Sequence, residues 1–394
     1  MGGRKMHVLT IDIGSYTHAD FLMNLRKMGH TYKNVFYDYK TNDWELKYHN
    51  DEFEKLITDE LSDYYDCVVT TNFYPIVARV CYKKNIKYIA WSYDSPINLP
   101  STDEMDYTTN YVFLFDKAEA QKYKDKGFDN FFHLPLAVDC DRLDSYSKND
   151  LYKSDVSFMG QLYESTLPGL KAIMKPYQRE LIDKIVQTQL KVYGNWFVDD
   201  MLTDSIIGDI NAHYHSLSED AIQISRPQLS YSIAQHITHI ERITLLCALQ
   251  KRGYKVDLYT YPLSDTEKDL LKDINVHGKI NYFNEMPMLF KSSTINLNPT
   301  LKNISSGISL RALDIMGCGG FLLSNFQPEL NEYFEDGNEV VMYRSMEEAI
   351  EKTIFYMKHD DERNKISKRG YEKVKRDFNY SSRIKEMFRV AGLI

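Results

Sequence analysis

The sequence predicts an α/β protein of two Rossmann-like parallel-sheet domains, the second carrying a helical insertion. Three observations predict it. Strand-like apolar runs alternate with helical runs over about the first 140 residues, the pattern of a parallel sheet with helices on both faces. A charged, polar stretch, Asp139 to Asp155, then interrupts the alternation as a linker does. The alternation resumes and includes Asn296–Ser324, where an apolar strand end, a small-residue loop, a short helix, a glycine turn and another apolar strand make a parallel βαβ unit.

In the first half, His7–Ile11 opens a strand, and Asp12–His18 leads into a helix ending at Gly29. Further strands are expected at Val35–Tyr37, Cys67–Thr71, Tyr88–Trp91 and Tyr111–Phe115. Pro75 suits the first turn of one intervening helix, and Asp116 with Glu119 has the form of a capping box for another, which stops at Gly127. No GxGxxG follows the first strand, which argues against a dehydrogenase. Ligands of such sheets sit beyond the C-terminal strand ends. This singles out His18 and Asp20, Thr71-Asn72, and the stretch Ser92 to Pro96 that contains Asp94.

In the second half, Val156–Gly160 is a strand ending in glycine. A mostly helical stretch of about residues 162–235 follows, with a strand only at Lys191–Tyr193, and reads as an insertion. Its His213/His215 pair and the nearby His236/His239 lack neighbouring Cys or carboxylate patterns and read as surface or core histidines, not metal ligands. A helix from Ile237 to Arg252 feeds a strand at Val256–Tyr259. Ser264 and Glu267 form a capping box, Ile274–Val276 is a strand, and Glu285-Met286-Pro287 starts a short helix. The strand Thr294–Asn298 enters the βαβ unit, and Val340–Tyr343 is the last strand. The basic residues between Arg363 and Arg376 are interspersed with acids and read as a solvated helix face.

Composition excludes several classes. The 394 residues are 43% hydrophobic, enough for two cores, and the net charge of −8 gives no footprint for nucleic acid. Five scattered cysteines without a CxxC pair fit neither a disulfide framework nor zinc. The opening MGGRKMHVLTIDIG is too short in apolar length for a secretory leader, and no apolar run approaches a membrane span, so the expectation is a cytoplasmic protein.

The chemistry concentrates in the βαβ unit. Small residues before the helix let a ligand approach the backbone, and a helix N-terminus suits a phosphate. With the helix starting near Gly307, the residues Gly307, Arg311 and Asp314 share one face, so that Arg311 meets a diphosphate and Asp314 a ribose. The same spacing also describes an ordinary surface Arg–Asp pair.

The run from Asn298 through Leu310-Arg311 to Gly319-Gly320-Phe321-Leu322-Leu323 resembles the donor-binding loop and helix of nucleotide-sugar glycosyltransferases with the GT-B fold. The resemblance is to group 1 (family 4-like), and in particular to its bacterial spore-maturation (CgeB-like) branch. In the large retaining group two Glu residues, separated by seven, flank this loop. Aligning Asp314-Ile315-Met316-Gly317-Cys318-Gly319 on the family's Glu-Ala-Met-Ala-Cys-Gly puts Asp314 at the second, ribose-binding Glu and Ser306 where the first would stand. Phe132–Asp139 is similar to the family's Pro-x-Gly-Val-Asp junction, with Ala137 for the Gly, and Asp377–Arg383 to its C-terminal His-Thr-Tyr-x-x-Arg ending.

The resemblance implies a GT-B fold with two domains facing across a cleft. Residues 1–150, joined by the C-terminal helix 381–394, form the acceptor side, and residues 151–380 the donor side. It implies donor contacts at Arg242, Lys279, Asn281, Asn298, Ser305, Ser306, Gly307, Arg311 and Asp314, with the 277–282 loop reading the base. It implies transfer of a hexosyl or N-acetylhexosaminyl group from a UDP-sugar to a glycan or protein, with no metal and no other cofactor. An inverting enzyme also needs a base, for which Asp94 stands first and Asp20 and His18 behind it; a retaining one needs none. Asp94 is equally placed to cap the Ser95-Pro96 bend as an Asx turn, and Arg242 to be a plain helix-surface residue. A sugar epimerase of the same fold and a non-catalytic partner subunit are the alternative functions.

Overall fold

The structure is a computed structural model describing residues 4–38, 49–97 and 101–394. It divides into two compact units: residues 1–143 with 307–313 and 373–394, and residues 144–306 with 314–372. The chain thus leaves the second unit after Ser306, returns at Asp314, and rejoins the first unit at Lys373, where sequence placed the boundaries at 150/151 and 380/381.

The first unit alternates β1 (His7–Asp12), α1 (His18–Lys27), β2 (Thr31–Phe36), α2 (Asp51–Glu60), β3 (Cys67–Thr71), α3 (Pro75–Lys84), β4 (Lys87–Ser92), β5 (Asn110–Leu114), α4 (Lys117–Asp125) and β6 (Phe131–His133), with α5 (Cys140–Asp144) at its end. The strands form one six-stranded sheet in the order β2-β1-β3-β4-β5-β6, and every pair is parallel. Continuous apolar stretches such as Cys67-Val68-Val69 and Ile89-Ala90-Trp91 are buried, as expected for strands covered on both faces. The sequence reading lacks β6, which is only three residues long.

In the second unit β7 (Ser154–Met159) is followed by α6 (Leu167–Ala172), α7 (Pro176–Gln189), α8 (Val198–Met201) and α9 (Asp204–Leu217). Next come α10 (Arg226–Gln250), β8 (Val256–Tyr259), α11 (Asp265–Leu270), β9 (Asn275–His277), α12 (Met286–Ser292), β10 (Ser293–Asn298), α13 (Leu310–Gly317), β11 (Leu322–Asn325), α14 (Pro328–Tyr333), β12 (Val341–Tyr343) and α15 (Met346–Lys358). α16 (Asp360–Asp377) runs on into the first unit's C-terminal segment. This second parallel sheet has the order β12-β11-β10-β7-β8-β9, the Rossmann order read from the β9 edge. The insertion has its own apolar cluster, in which Ile182, Ile185 and Ile210 pack with Leu229, Ile233 and Ile237 of α10. α10 starts eleven residues ahead of the expected Ile237, behind Ser225 and a capping box with Gln228. Lys191–Tyr193 is not a strand; it follows a turn at the end of α7.

The C-terminal α17 (Tyr380–Val390) belongs to the first unit. There Val138 N donates to Phe378 O at 3.0 Å and Arg383 Nε to Pro135 O at 2.8 Å. Among the described residues no helix is long and apolar enough to cross a membrane. All five cysteines are free thiols.

Asp116 caps α4 by accepting from Ala118 N and Glu119 N. Glu119 does not return the bond as a capping box would. Its two oxygens accept from Ile97 N and Ser95 Oγ, each at 2.7 Å, and fasten the chain after β4. Burial outweighs these hydrogen bonds and pushes its carboxyl up from 4.5 to about 7. The folded state therefore keeps a proton that the unfolded chain has already lost. Stability should fall as pH rises from about 4.5 to about 7 and level off above, and Glu119→Gln should flatten that stretch. Urea midpoints of both proteins at pH 5, 6 and 7 check it; parallel pH dependences would remove Glu119 as the source.

Candidate functional site

Strand order reverses in each sheet where connections leave to opposite faces, and a crevice opens at the carboxyl ends of the strands flanking the reversal. In the second unit the reversal lies between β7 and β10. Arg242, on α10, ties the two loops that leave these strands. Its Nε donates to Pro299 O at 3.1 Å, Nη2 bonds the same carbonyl, and Nη1 bonds Gln161 O. The guanidinium carbon lies 5.0 Å from the Phe158 ring and 4.9 Å from the Tyr163 ring. Arg242 is 7% exposed, and its donors are turned to these backbone carbonyls, so that it clamps the two loops.

The loop after β10 is held at several points. Asn298 is buried, and its Nδ2 donates to Ser324 Oγ at 3.0 Å while Ser324 Oγ donates to Asn298 O at 2.9 Å, joining the ends of β10 and β11. Thr300 N donates to Asn325 Oδ1 at 2.7 Å and Lys302 N to Thr238 Oγ1 at 3.1 Å. The buried Lys302 ammonium lies 3.2 Å from Glu241 Oε1 and 3.4 Å from the centre of the Tyr193 ring. Burial holds this ammonium below its ordinary value, with Glu241 pulling the other way.

Ser305 is half-buried and Ser306 buried. Ser306 Oγ donates to Glu329 Oε1 at 2.7 Å, and Glu329 N donates to Ser306 O at 3.0 Å. A buried carboxylate therefore stands beside the residue aligned with the family's first Glu, supplied by the start of α14. Gly307 is not on a helix face, because α13 begins at Leu310. Within the first unit a Cβ on Gly307 would lie 2.8 Å from the Phe115 ring and 3.0 Å from Asp116 Cα, so only glycine fits. Arg311 is half-buried in the first turn of α13.

Asp314 is 1% exposed, and its Oδ1 accepts from Tyr282 Oη at 2.8 Å. Tyr282 belongs to the stretch between β9 and α12 that also contains Lys279 and Asn281. Lys279 is exposed, with its ammonium 4.0 Å from the centre of the Tyr261 ring. Asn281 is exposed, and its Oδ1 accepts from Phe283 N and Asn284 N at 2.9 and 3.1 Å, shaping the turn. The structure thus brings the predicted ribose acid to the predicted base-reading stretch, and turns Arg242, Asn298 and Ser306 toward protein partners.

In the first unit the reversal lies between β1 and β3. A cavity of about 10 Å³ there, room for one water, is lined by His18, Thr71, Trp91 and Tyr93 among others. His18 is buried and its Nε2 lies 2.8 Å from Asn34 Oδ1; burial lowers its basicity more than Asp12 raises it. Asp20 differs from the expected reserve base: both of its oxygens are engaged by Arg142, at 2.6 and 2.8 Å, in a buried ion pair. Asp94 is exposed, and its Oδ2 accepts from Asn72 Nδ2 at 2.7 Å. Asn72, at a φ of 67°, also accepts from Tyr93 N at 2.8 Å and so sets the turn carrying Asp94.

Sequence reasoning missed Tyr282, Glu329 and the Lys302–Glu241 pair. Tyr282 stood inside a loop already singled out, where a phenol next to an Asx turn was the available signal. Glu329 and Glu241 lie far along the chain from their partners, and no local pattern marks them. Among the described residues no group of three His, Cys, Asp or Glu side chains is placed to hold a metal ion. His239 Nδ1 instead donates to Leu162 O at 3.2 Å.

Replacing Arg242 with Met should leave the carbonyl of the buried Pro299 without its donor, at about 1–3 kcal/mol, while the carbonyl of the exposed Gln161 can turn to water. Urea denaturation of Arg242→Met should show a loss of at least about 1 kcal/mol. Unchanged stability together with lost nucleotide binding would remove the clamp role and favour the ligand role.

Residues 242–389 match a family model described as glycosyl transferase-like. No curated protein matches the chain at a significant level. Among solved structures, a glycosyltransferase from Rickettsia africae aligns over 99% of this chain and 98% of its own at 9% identity, with a TM-score of 0.61. Sucrose-phosphate synthase from Thermosynechococcus elongatus aligns over 98% of both chains at 9% identity, with a TM-score of 0.60. The Anabaena protein Alr3699/HepE, solved with UDP and glucose, aligns over 99% of this chain and 100% of its own at 9% identity, with a TM-score of 0.56. Two six-stranded parallel sheets flanked by helices, and this likeness over nearly the whole chain, give the protein the two-domain, Rossmann-like GT-B fold.

Proposed function

We propose that the chain is a nucleotide-sugar-dependent glycosyltransferase whose donor nucleotide is held by the second unit. The observation that carries this reading is Asp314, a nearly inaccessible carboxylate whose Oδ1 accepts from Tyr282 Oη at 2.8 Å. A carboxylate accepts hydrogen bonds from hydroxyl groups, and a ribose offers two of them. The matched family model over residues 242–389 and the UDP seen in the Anabaena neighbour support the choice of ligand.

Transfer breaks the bond between the anomeric carbon and the diphosphate, and negative charge grows on the leaving oxygens. In this proposal the backbone N–H groups around Ser305–Ser306 meet that charge. The loop can do so without reorganising, because Arg242, Thr238 and Asn325 already fix its backbone. The proposal takes the donor as a UDP-sugar of hexosyl or N-acetylhexosaminyl type, the acceptor as a glycan or protein, and binding as independent of divalent metal. It places the chain near the spore-maturation branch. For an inverting outcome, Asp94 is the base that removes the acceptor proton.

Each hydrogen bond to a charged group is worth about 1.5–3 kcal/mol, so Asp314→Asn should weaken UDP binding about tenfold to a hundredfold with the fold intact. Calorimetry with UDP, in EDTA and in magnesium, tests both parts. Unaltered affinity in Asp314→Asn would remove the donor-site assignment, and binding abolished by EDTA would remove the metal-independent mechanism.

A further inference from the structure

The turn that follows β4 carries one step more, resting on the reading of Asp94 as the base. We propose that Glu119 is a positioning residue for Asp94: with Ser95 and Asp116 it forms a carboxyl-to-hydroxyl-to-carboxylate chain that latches the turn while Glu119 holds its proton.

The turn Ser92–Ile97 is gripped from two sides. Asn72 takes the first half, accepting from Tyr93 N at 2.8 Å and donating to Asp94 Oδ2 at 2.7 Å. The start of α4 takes the second half. Glu119 Oε1 accepts from Ile97 N, and Glu119 Oε2 lies 2.7 Å from Ser95 Oγ. Further along α4, Tyr123 Oη donates to Ile97 O at 3.2 Å. Ser95 Oγ makes a longer contact, 3.4 Å, with Asp116 Oδ2. Asp94 thus lies between a grip made by an amide and a grip built on two buried acids.

Ser95 has one proton to donate. With Glu119 protonated, its hydroxyl donates to Ser95 Oγ, the Ser95 hydroxyl turns to Asp116, and Oε1 still accepts from Ile97 N. Each proton of the chain then has an acceptor, and the chain carries one negative charge. Once Glu119 loses its proton, two buried carboxylates compete for a single hydroxyl. Like charges so placed repel, and a carboxylate kept from water is costly. Opening the turn relieves both, because it lets water reach Glu119. Burial does most to keep the proton on Glu119, and the Asp116 charge adds to it. The bonds from Ser95 and Ile97 and the charge of Lys122 oppose it, and the balance stands at about 7, against 4.5 for a solvated Glu. The closed turn therefore binds the proton more tightly than the open one. That advantage is complete below about 4.5 and is lost as the pH rises to about 7. Above that the turn opens more readily, and Asp94 loses its fixed direction with it.

Hydrogen exchange on the full chain tests the latch and needs neither donor nor acceptor. Exchange of the Tyr93 and Ile97 amides, corrected for intrinsic rates, is followed from pH 5 to 8 in wild type and Glu119→Gln, with the amides of β1 as reference. Glutamine keeps the shape of the protonated acid and can donate to Ser95 Oγ and accept from Ile97 N at every pH. In wild type, opening at both amides should grow by about tenfold per pH unit up to about 7 and then level off. In Glu119→Gln it should stay within about threefold from pH 5 to pH 8. Both amides should also exchange faster than those of β1 at every pH, by about tenfold or more, which marks the opening as local. Turn and β1 amides that exchange alike would make the event global unfolding and overturn the latch. A Glu119→Gln protein that follows the wild-type pH dependence would overturn it too. If Ile97 responded and Tyr93 did not, Asn72 alone would hold Asp94, and Glu119 would not be its positioning residue. The base reading is checked apart from this: Asp94→Asn releasing UDP from UDP-glucose at the wild-type rate would remove the base, and the positioning role with it, while the latch still showed in the exchange data.

Discussion

The interaction on which the loops after β7 and β10 depend is the seat of Arg242. A parallel sheet can open a ligand crevice only where its strand order reverses, and there the two departing loops have no ladder between them to set their spacing. Arg242 supplies that spacing. Its planar fork binds Pro299 O from one loop and Gln161 O from the other, with Phe158 and Tyr163 against its faces. A lysine could not do this: it carries one rotatable ammonium and no plane to stack. The guanidinium is desolvated, and burial lowers its basicity from the usual value, yet a guanidinium retains its charge through any ordinary shift.

The clamp is one end of a longer device. Thr238, Glu241 and Arg242 lie on one face of α10, three and four residues apart, and all three reach the loop after β10. The first half of the same helix is packed into the apolar cluster of the insertion through Leu229, Ile233 and Ile237. Tyr193, at the end of the insertion's α7 turn, covers the Lys302 ammonium from the other side. The insertion is therefore part of what holds the loop, and not an appendage to it. This gives a physical reason for the low-basicity Lys302: the charge lies inside a wall that the insertion completes.

The fold was legible where one rule dominates. Apolar runs bounded by turns located β3 and β8 to the residue, and the capping box at Ser264 located α11. It was less legible where rules compete. Lys191–Tyr193 reads as a strand by propensity, but its aromatic residue is spent on Lys302. The helix assigned near Gly307 starts at Leu310, because the loop is drawn out by contacts to Asn325, Thr238 and Glu329 that lie far away in sequence. Asp314 was singled out from its motif, whereas its contact with Tyr282, at 2.8 Å across thirty-two positions, has no local pattern to mark it. Arg242 was singled out for its charge, and sequence alone cannot say whether a cation faces a ligand or two carbonyls.

The acids and the histidine of the first unit show the same distinction. All three were chosen for lying after strand ends, and their surroundings separate them. Asp20 is neutralised by a two-pronged contact with Arg142, so taking a proton there would break a buried ion pair. His18 is desolvated, and burial disfavours its charged form more than Asp12 and the bond to Asn34 favour it, where a base would need to hold a proton. Asp94 is exposed, and Asn72 fixes its Oδ2 while adopting a left-handed backbone that ordinary residues avoid. Strain of that kind persists only where the surroundings impose it. Here it comes with a side chain spent on positioning one turn. Of the three groups, Asp94 alone combines access to solvent with a defined direction.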